Sequence, residues 1–395
     1  MDTLTHALSG AVVARLIAAR HAGPSPFSPL SPLSPSGANA DGSFTAPWTP
    51  GATAPRLWQY VLAGAIAGAF PDIDAVTSYV SDLAYLRHHR GLTHSIVMWP
   101  LWSLLLAGLL ALAFSATRRA RHGWKSLVVV VAAGILIHIA GDWITQFGTM
   151  LLEPLSDRRF GLGATFIIDL VLSGLLLAGL LLAWIFPKRR WPSAAALVAV
   201  VAWVGVSWVG KQEAITAGEA YARSQGLQPT EIDAMPRPAS PFNWTVTVRE
   251  GDRFHVAHLN TRRVEPLVAT PDDHFVRRFS APFMPAATVT WEVIPKFGAD
   301  GDEALARAVW QRPEFEFYRW FSQAPVLDRT ERRQVAGGTE QQCAWFRDLR
   351  FGFPGRGEVP FRYGLCLEGP IDAPTAVAVY KLEGDGDSVT RVAQR

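Results

Sequence analysis

From Ile96 to Ala116 the chain carries no charged side chain. A helix rises ~1.5 Å per residue, so a run of this length is long enough to cross a hydrocarbon core of ~30 Å. Directly before it stands Arg87-His88-His89-Arg90-Gly91-Leu92-Thr93-His94-Ser95, which holds three of the ten histidines. Side chains able to bind a metal or move a proton therefore sit at the mouth of a membrane helix. Ionisable groups are costly there and usually mark function.

The same arrangement recurs through the first half of the chain. Apolar runs cover 3–20, 57–70, 96–116, 126–147, 166–186 and 194–210. They predict a multi-pass α-helical membrane domain over 1–210, with about six membrane segments. The runs at 3–20, 57–70 and 194–210 are short and would tilt or shelter among the others. Gly64-Ala-Ile-Ala-Gly68 is a small-xxx-small pattern that lets two helices approach closely. Residues 21–56 are rich in Pro, Ser and Gly and predict a disordered loop. Hydrophobic residues make up 49% of the whole, yet residues 211–395 read as an ordinary soluble domain. That half predicts a helix over Glu213–Ser224 and then a mainly antiparallel β (α+β) fold. Trp244-Thr-Val-Thr-Val and Phe254-His-Val-Ala-His flank the turn Glu250-Gly251-Asp252 as a hairpin. Thr288–Ile294, Ala344–Phe351, Phe361–Leu367 and Ala376–Leu382 alternate in the same way.

Lysines and arginines in short loops set an orientation. Arg118, Arg119, Arg121 and Lys125 form one basic loop, and Lys188, Arg189 and Arg190 another. Both are expected on the cytoplasmic side. The N-terminus, segment 71–95, loop 148–165 and everything after about 211 then lie outside, with Arg87 and Arg90 as exceptions. The only two cysteines, Cys343 and Cys366, fall in that outer half, where a disulfide and a pair of buried thiols are equally open readings. The net charge of +3 is scattered over short loops, which gives no support for nucleic-acid binding. Gly-x-Ser-x-Gly and P-loop patterns are absent, so serine-hydrolase and nucleotide-binding readings lack support.

On this topology every His or Asp at a membrane edge lands on the outer side. His138 and Asp142 are i, i+4 on one helix face, a pairing that suits zinc or a similar divalent ion. His89 and His94 are expected ligands; His88 is expected to be exposed. Asp72 and Asp74 follow a helix end and Pro71. They read as a ligand and a group orienting a histidine, or as turn caps. His6 is a ligand or an interfacial histidine. Asp169 is a ligand, a general base or a helix cap. Arg87 and Arg90 offer guanidinium donors to a phosphate or a lipid headgroup. His255 and His258 lie on the hairpin without acidic partners and are expected to be structural.

The ordered set Met1-Asp-x-x-Thr-His6, Phe70-Pro-Asp-Ile-Asp74, His89-Arg-Gly-x-Thr-His94-Ser and His138-xxx-Asp142 resembles the YdjM-like (DUF457) family of bacterial inner-membrane metal-dependent hydrolases. Pro154-Leu-Ser-Asp-Arg-Arg-Phe160 and Phe166-Ile-Ile-Asp169 extend the resemblance, which covers about residues 1–186. The order of ligands is also similar, more remotely, to zinc-dependent phospholipase C and P1 nuclease. That likeness implies His6, Asp72, His94, His138 and Asp142 as ligands, while the later histidines of that group are missing.

The expected function is a bacterial inner-membrane hydrolase with an extracytoplasmic C-terminal domain. One or two divalent ions, zinc or manganese, would activate water against a phosphoester in a membrane lipid or lipid-linked substrate. Asp72 or Asp169 would orient or deprotonate the water, and Arg90 would hold the phosphate. The alternatives are a non-catalytic scaffold with a structural metal site, and a metal or proton transporter.

Overall fold

The computed structural model describes residues 1–18, 55–114, 117, 123–299, 301–334, 340–354, 359–369, 375–383 and 388–392. The disordered loop expected over 21–56 lies almost wholly outside the described residues, as do Arg118, Arg119 and Arg121 of the first basic loop.

Six apolar helices occupy the expected positions: α1 (Thr3–Ala18), α2 (Leu57–Ala69), α4 (Trp99–Ala113), α5 (Gly123–Trp143), α6 (Leu170–Ile185) and α7 (Trp191–Ser224). A 3-10 helix, Phe70–Tyr79, prolongs α2, and a short helix α3 (Asp82–His88) precedes the 3-10 turn Leu92–His94. The expectation of about six membrane segments needs correction. Three described helices are long and apolar enough to cross a membrane, and a fourth crossing arises if α4 is joined to the segment before it across an 80° bend. Helices α1 and α6 have 16 residues each, about 24 Å, which falls short of the core thickness.

Close packing of α1 and α2 rests on three glycines. A Cβ on Gly10 would run into the Gly64 carbonyl, and one on Gly68 into the His6 carbonyl. Across the bundle, a Cβ on Gly134 of α5 would come 2.7 Å from Ala67. Without side chains at these points, three backbones meet where Ala14, Ala63, Ala67, Leu127, Val131 and Ile135 form the bundle core. Gly64→Val is therefore expected to abolish recovery of monodisperse protein in detergent, while Gly108→Val, at a position with open space around it, is tolerated.

Helix α7 runs 34 residues without a break, where the sequence suggested a membrane helix ending at 210 and a separate helix from 213. Gly210 does not interrupt it. Gly210 and Gly218 instead accept the β domain: a Cβ at Gly210 would strike the Pro241 carbonyl, and one at Gly218 would lie 2.9 Å from Ile232. Strands β1 (Glu231–Pro236), β2 (Asn243–Glu250) and β3 (Arg253–Asn260) run antiparallel, with β4 (Met284–Pro285) and β5 (Glu292–Pro295) both on β3. A second antiparallel sheet follows the order β10 (Ser388–Arg391), β9 (Thr375–Glu383), β8 (Arg362–Glu368), β7 (Glu340–Asp348), β6 (Pro325–Gln334). Helices α8 (Phe275–Ser280), α9 (Glu303–Gln311) and α10 (Glu316–Phe321) complete it. The hairpin around Gly251 forms as expected. His258 bonds Thr245 Oγ1 at 2.8 Å and His255 bonds the Tyr221 hydroxyl at 3.0 Å, both as structural groups. Cys343 and Cys366 face each other on β7 and β8 and are joined in a disulfide.

The two halves share one core. Leu86 of α3 and Phe147, just after α5, are buried among Phe315, Tyr318, Phe321, Phe346 and Tyr363 of the β domain. Lys381 Nζ donates to Asp82 Oδ1 at 2.7 Å, and Arg159 stacks on Phe147 and Trp320.

Candidate metal centre

The buried stripe of α5 runs through Leu127, Val131, Ile135, His138 and Asp142 at helical spacing. The periodicity that packs α5 into the bundle thus delivers an imidazole and a carboxylate to its end, both with no solvent exposure.

At the same level α2 ends. The Gly68 carbonyl accepts from His138 Nδ1 at 2.6 Å. It is free to do so because a 3-10 continuation would bond it to the amide of residue 71, and Pro71 has no N–H. The 3-10 helix then carries Asp72 and Asp74 past the end of α5. Asp74 is a hub: its Oδ2 accepts from the Arg90 amide at 2.8 Å and lies 3.2 Å from His94 Nδ1, while Oδ1 is 3.0 Å from His89 Nδ1. Thr93 Oγ1 adds a bond to Asp74 Oδ2 at 3.3 Å.

With both Nδ1 atoms held by acceptors, the Nε2 atoms of His94 and His138 face each other at 2.9 Å. Asp142 Oδ2 lies 3.1 Å from His94 Nε2 and 3.5 Å from His138 Nε2, and Asp72 Oδ1 lies 3.8 and 3.6 Å from the same atoms. Donor atoms of all four residues fall within 4.8 Å of one another, so the cluster could hold a metal ion. A tetrahedron with ~2.1 Å bonds has edges of ~3.4 Å, inside the observed spread.

Two further observations fit a cation. Donation from both Nδ1 atoms turns the two Nε2 atoms toward each other, so that a proton or a metal cation is needed between them. Asp142 Oδ2 is buried and accepts no hydrogen bond of normal geometry, although Arg90 Nε lies 3.0 Å away. Three carboxylates face one guanidinium and the Met1 ammonium, which contacts Asp142. The cluster therefore keeps a net negative charge that a divalent ion would offset.

Other expected site residues sit around these four in different roles. His6 Nε2 is 3.0 Å from Asp142 Oδ1 and its ring stacks on His138 at 3.6 Å, beside the four donors. Asp74 stands behind His94 as the carboxylate that fixes its tautomer, a common companion of metal-bound histidine. His89 is the partner of Asp74 and stacks on Tyr85.

Two residues expected to be catalytic make other contacts in the structure. Arg90 is 2% exposed; its guanidinium is committed to Asp142, to Thr145 Oγ1 at 2.8 Å and to the face of Phe147. It is a buried counter-ion of Asp142. Asp169 is the N-cap of α6, accepting from the amides of Val171 and Leu172 and from Trp203 Nε1. The polar first turn of an apolar helix needs such a cap, and the carboxylate is used up in supplying it. Asp169→Ala is expected to cost about 1 kcal/mol of stability, read as a lower melting temperature, and to leave metal content unchanged.

Sequence reasoning did not single out Thr3, whose hydroxyl donates to Asp72 Oδ2 at 2.6 Å, or Thr145 beneath Arg90. Nor did it find Phe147, which links the centre to the β domain. Thr93 lay within the quoted motif, but its bond to Asp74 depends on the turn's geometry.

The centre lies where α1 begins and where α2 and α5 end, beside loop 144–169, whose Leu162 carbonyl accepts from Lys211 Nζ on α7 at 3.0 Å. Long apolar helices around a buried His/Asp cluster define a membrane protein with a metal-type site. The chain belongs to the YdjM inner membrane protein family, whose model matches residues 1–214. The chain is also 31% identical over 110 residues to the uncharacterized protein YfhP of Bacillus subtilis (strain 168), covering 28% of this chain and 32% of that one. It thus spans about a third of the length of that relative. No solved structure matches. The remoter likeness to phospholipase C and P1 nuclease gains no support from these comparisons.

Proposed function

We propose that this protein is a membrane-bound metal-dependent hydrolase acting on a phosphoester in a lipid-like or amphiphilic substrate. The observation that carries this reading is the pair of anchored histidines, His94 and His138, facing Asp142 and Asp72 around one point. The mixed nitrogen and oxygen set suits zinc, with manganese the second choice. His94, His138, Asp142 and Asp72 would hold the ion. When bound, such an ion supplies a water acidified to a pKa of ~7 and so a nucleophile at neutral pH.

Asp72 is the member of the four that reaches the surface, with 15% side-chain exposure against none for the others. Substrate and water would enter on its side, where Oδ1 is placed to orient or accept a proton from water and Thr3 holds Oδ2. Exposed Leu4, Ile73 and Val76 surround that approach and would lie against acyl chains. A substrate arriving from the bilayer fits this rim better than a free polar one. We place the centre and the β domain on the extracytoplasmic side of a multi-pass inner-membrane protein. The basic segment Lys188–Arg190 and the Cys343–Cys366 disulfide support that orientation.

A second reading, a scaffold with a structural metal, draws on the four protein donors, which can close a tetrahedral shell by themselves. Metal-loaded protein in lipid nanodiscs, offered phospholipids and lipid-linked phosphoesters, separates the two. Release of a phosphorylated or dephosphorylated headgroup, reduced ~10²–10⁴-fold in Asp72→Asn with metal retained, supports the hydrolase. Metal-loaded protein that releases nothing from any of them leaves the scaffold reading.

A further inference from the structure

The β domain carries an exposed apolar segment of its own. Of the large hydrophobic residues exposed after residue 224 among the described residues, four of five lie between 264 and 276: Val264 (87% exposed), Val268 (72%), Phe275 and Val276; the fifth is Val293. Single exposed apolar residues are ordinary, but a cluster in one segment marks an interaction site.

The position of that segment says what it faces. Along α7 the apolar stretch ends at Lys211, and the helix continues into the β domain. Gly210 lies against Pro241, Phe242 and Trp244, whereas Gly218, two turns on, lies against Ile232, Val246 and Val248. Strand β2 therefore starts at the level where α7 leaves its apolar stretch and climbs away from it. Strand β3 returns antiparallel, pairing Asn260 with Asn243, so its end comes back to that level. The segment 261–283 starts there: the Thr261 amide bonds the Phe242 carbonyl at 3.0 Å, and Arg262 Nε donates to Glu213 Oε2 of α7 at 3.0 Å. Its base is tied by Arg263 to the Ser280 carbonyl at 2.9 Å and by Asn243 Nδ2 to Ser280 Oγ at 3.1 Å.

We infer that residues 264–278 lie on the bilayer surface. Val264, Val268, Phe275 and Val276 enter the headgroup–acyl boundary, and Arg278 meets lipid phosphates. Interfacial segments insert ~5–10 Å, driven here by apolar area, since Glu265, Asp272 and Asp273 offset Arg277 and Arg278. The occupant is the lipid surface because the segment is continuous with the end of a helix long and apolar enough to cross a membrane. This inference rests on α7 spanning the membrane, and the test separates the two.

The probe is a bimane or NBD fluorophore on single cysteines introduced into the full chain. The native cysteines are buried and disulfide-bonded, so they do not label. The variants are Val264→Cys, Val268→Cys and Val276→Cys, with Val201→Cys on the exposed face of α7 and Val293→Cys on β5 as references. Each is reconstituted in nanodiscs of phosphatidylcholine with and without phosphatidylglycerol. Blue-shifted emission at 264, 268 and 276, quenched severalfold more by a headgroup-depth spin-labelled lipid than at 293, is the expected result. Quenching at 201 by an acyl-chain-depth spin-labelled lipid, with 264, 268 and 276 all matching 293 under the headgroup-depth label, overturns the inference and leaves the span intact. Absence of quenching at 201 by the acyl-chain-depth label overturns the span, and the inference with it. Three independent positions keep the test decisive if one variant does not fold.

Discussion

In His94→Ala, metal in protein purified without chelators and reloaded with zinc or manganese is expected to fall from about one equivalent to background. His94 is held on both sides of its ring: its Nε2 lies within 3.8 Å of His138, Asp142 and Asp72, and its Nδ1 is fixed by Asp74. Removing it leaves three donors and opens a void beside a buried carboxylate. Asp74→Asn should behave differently. It keeps all four donors and weakens only the hold on the His94 ring, so affinity should drop ~10–100-fold while saturation stoichiometry is retained. Elemental analysis of both variants beside wild type, followed by competition with a graded chelator, reads the two effects separately. Equal metal content in wild type and His94→Ala would sink the centre as drawn.

The second large effect is expected in Asp142→Ala. This change removes a candidate ligand and also strands Arg90, whose guanidinium is 2% exposed and, among the described residues, has Asp142 as its only carboxylate partner. Breaking a buried pair from one side costs about 3–5 kcal/mol, against a typical total stability of ~5–15 kcal/mol. Arg90 also sits at φ 59°, a left-handed conformation that costs a non-glycine residue ~1–2 kcal/mol. The strain is tolerated while the ion pair and the amide bond to Asp74 hold the turn. Asp142→Ala should therefore lose stability as well as metal. The double variant Arg90→Met, Asp142→Leu should recover much of the stability and none of the metal. Thermal unfolding in detergent, run as a double-mutant cycle, would show strong coupling between the two positions. Independent, additive losses would mean that the pair does not act as a unit.

How much of this was legible in the sequence differs by element. The positions of the apolar helices followed from uncharged runs, because burial in lipid or in a bundle imposes the same composition. Their number as crossings did not, since the Arg87–Ser95 turn bends one span and α1 and α6 are short. The four residues that could hold a metal were among those the sequence singled out, because His138-xxx-Asp142 repeats the buried period of α5 and because Asp72 and His94 stand at the ends of uncharged runs. Which neighbours stand behind the donors was not visible. Asp74, His89 and Arg90 differ from the donors by the direction of a side chain in a turn, which spacing does not encode. Asp169 carried three readings at the sequence level, and the start of α6 places it as the cap. In the β domain, β2, β3, β7, β8 and β9 alternate and were found. Strand β6, Pro325–Gln334, was missed because its solvent side is filled with Arg and Glu, which hides the apolar period.

Phe147 has a consequence for how the molecule comes apart. One face of its ring carries the Arg90 guanidinium, whose centre is 5.0 Å from the ring centroid. Around it stand Phe321, Phe351 and Phe361, with ring centroids 5.7 to 6.1 Å away. A ring shared in this way ties the helix end that bears Asp142 to a part of the chain synthesised much later. The turn that carries the candidate site is thus expected to open together with that part of the β domain. During synthesis the four residues that could hold a metal are all present before the rings that surround Phe147, so the site is expected to gain its final rigidity only when those rings dock.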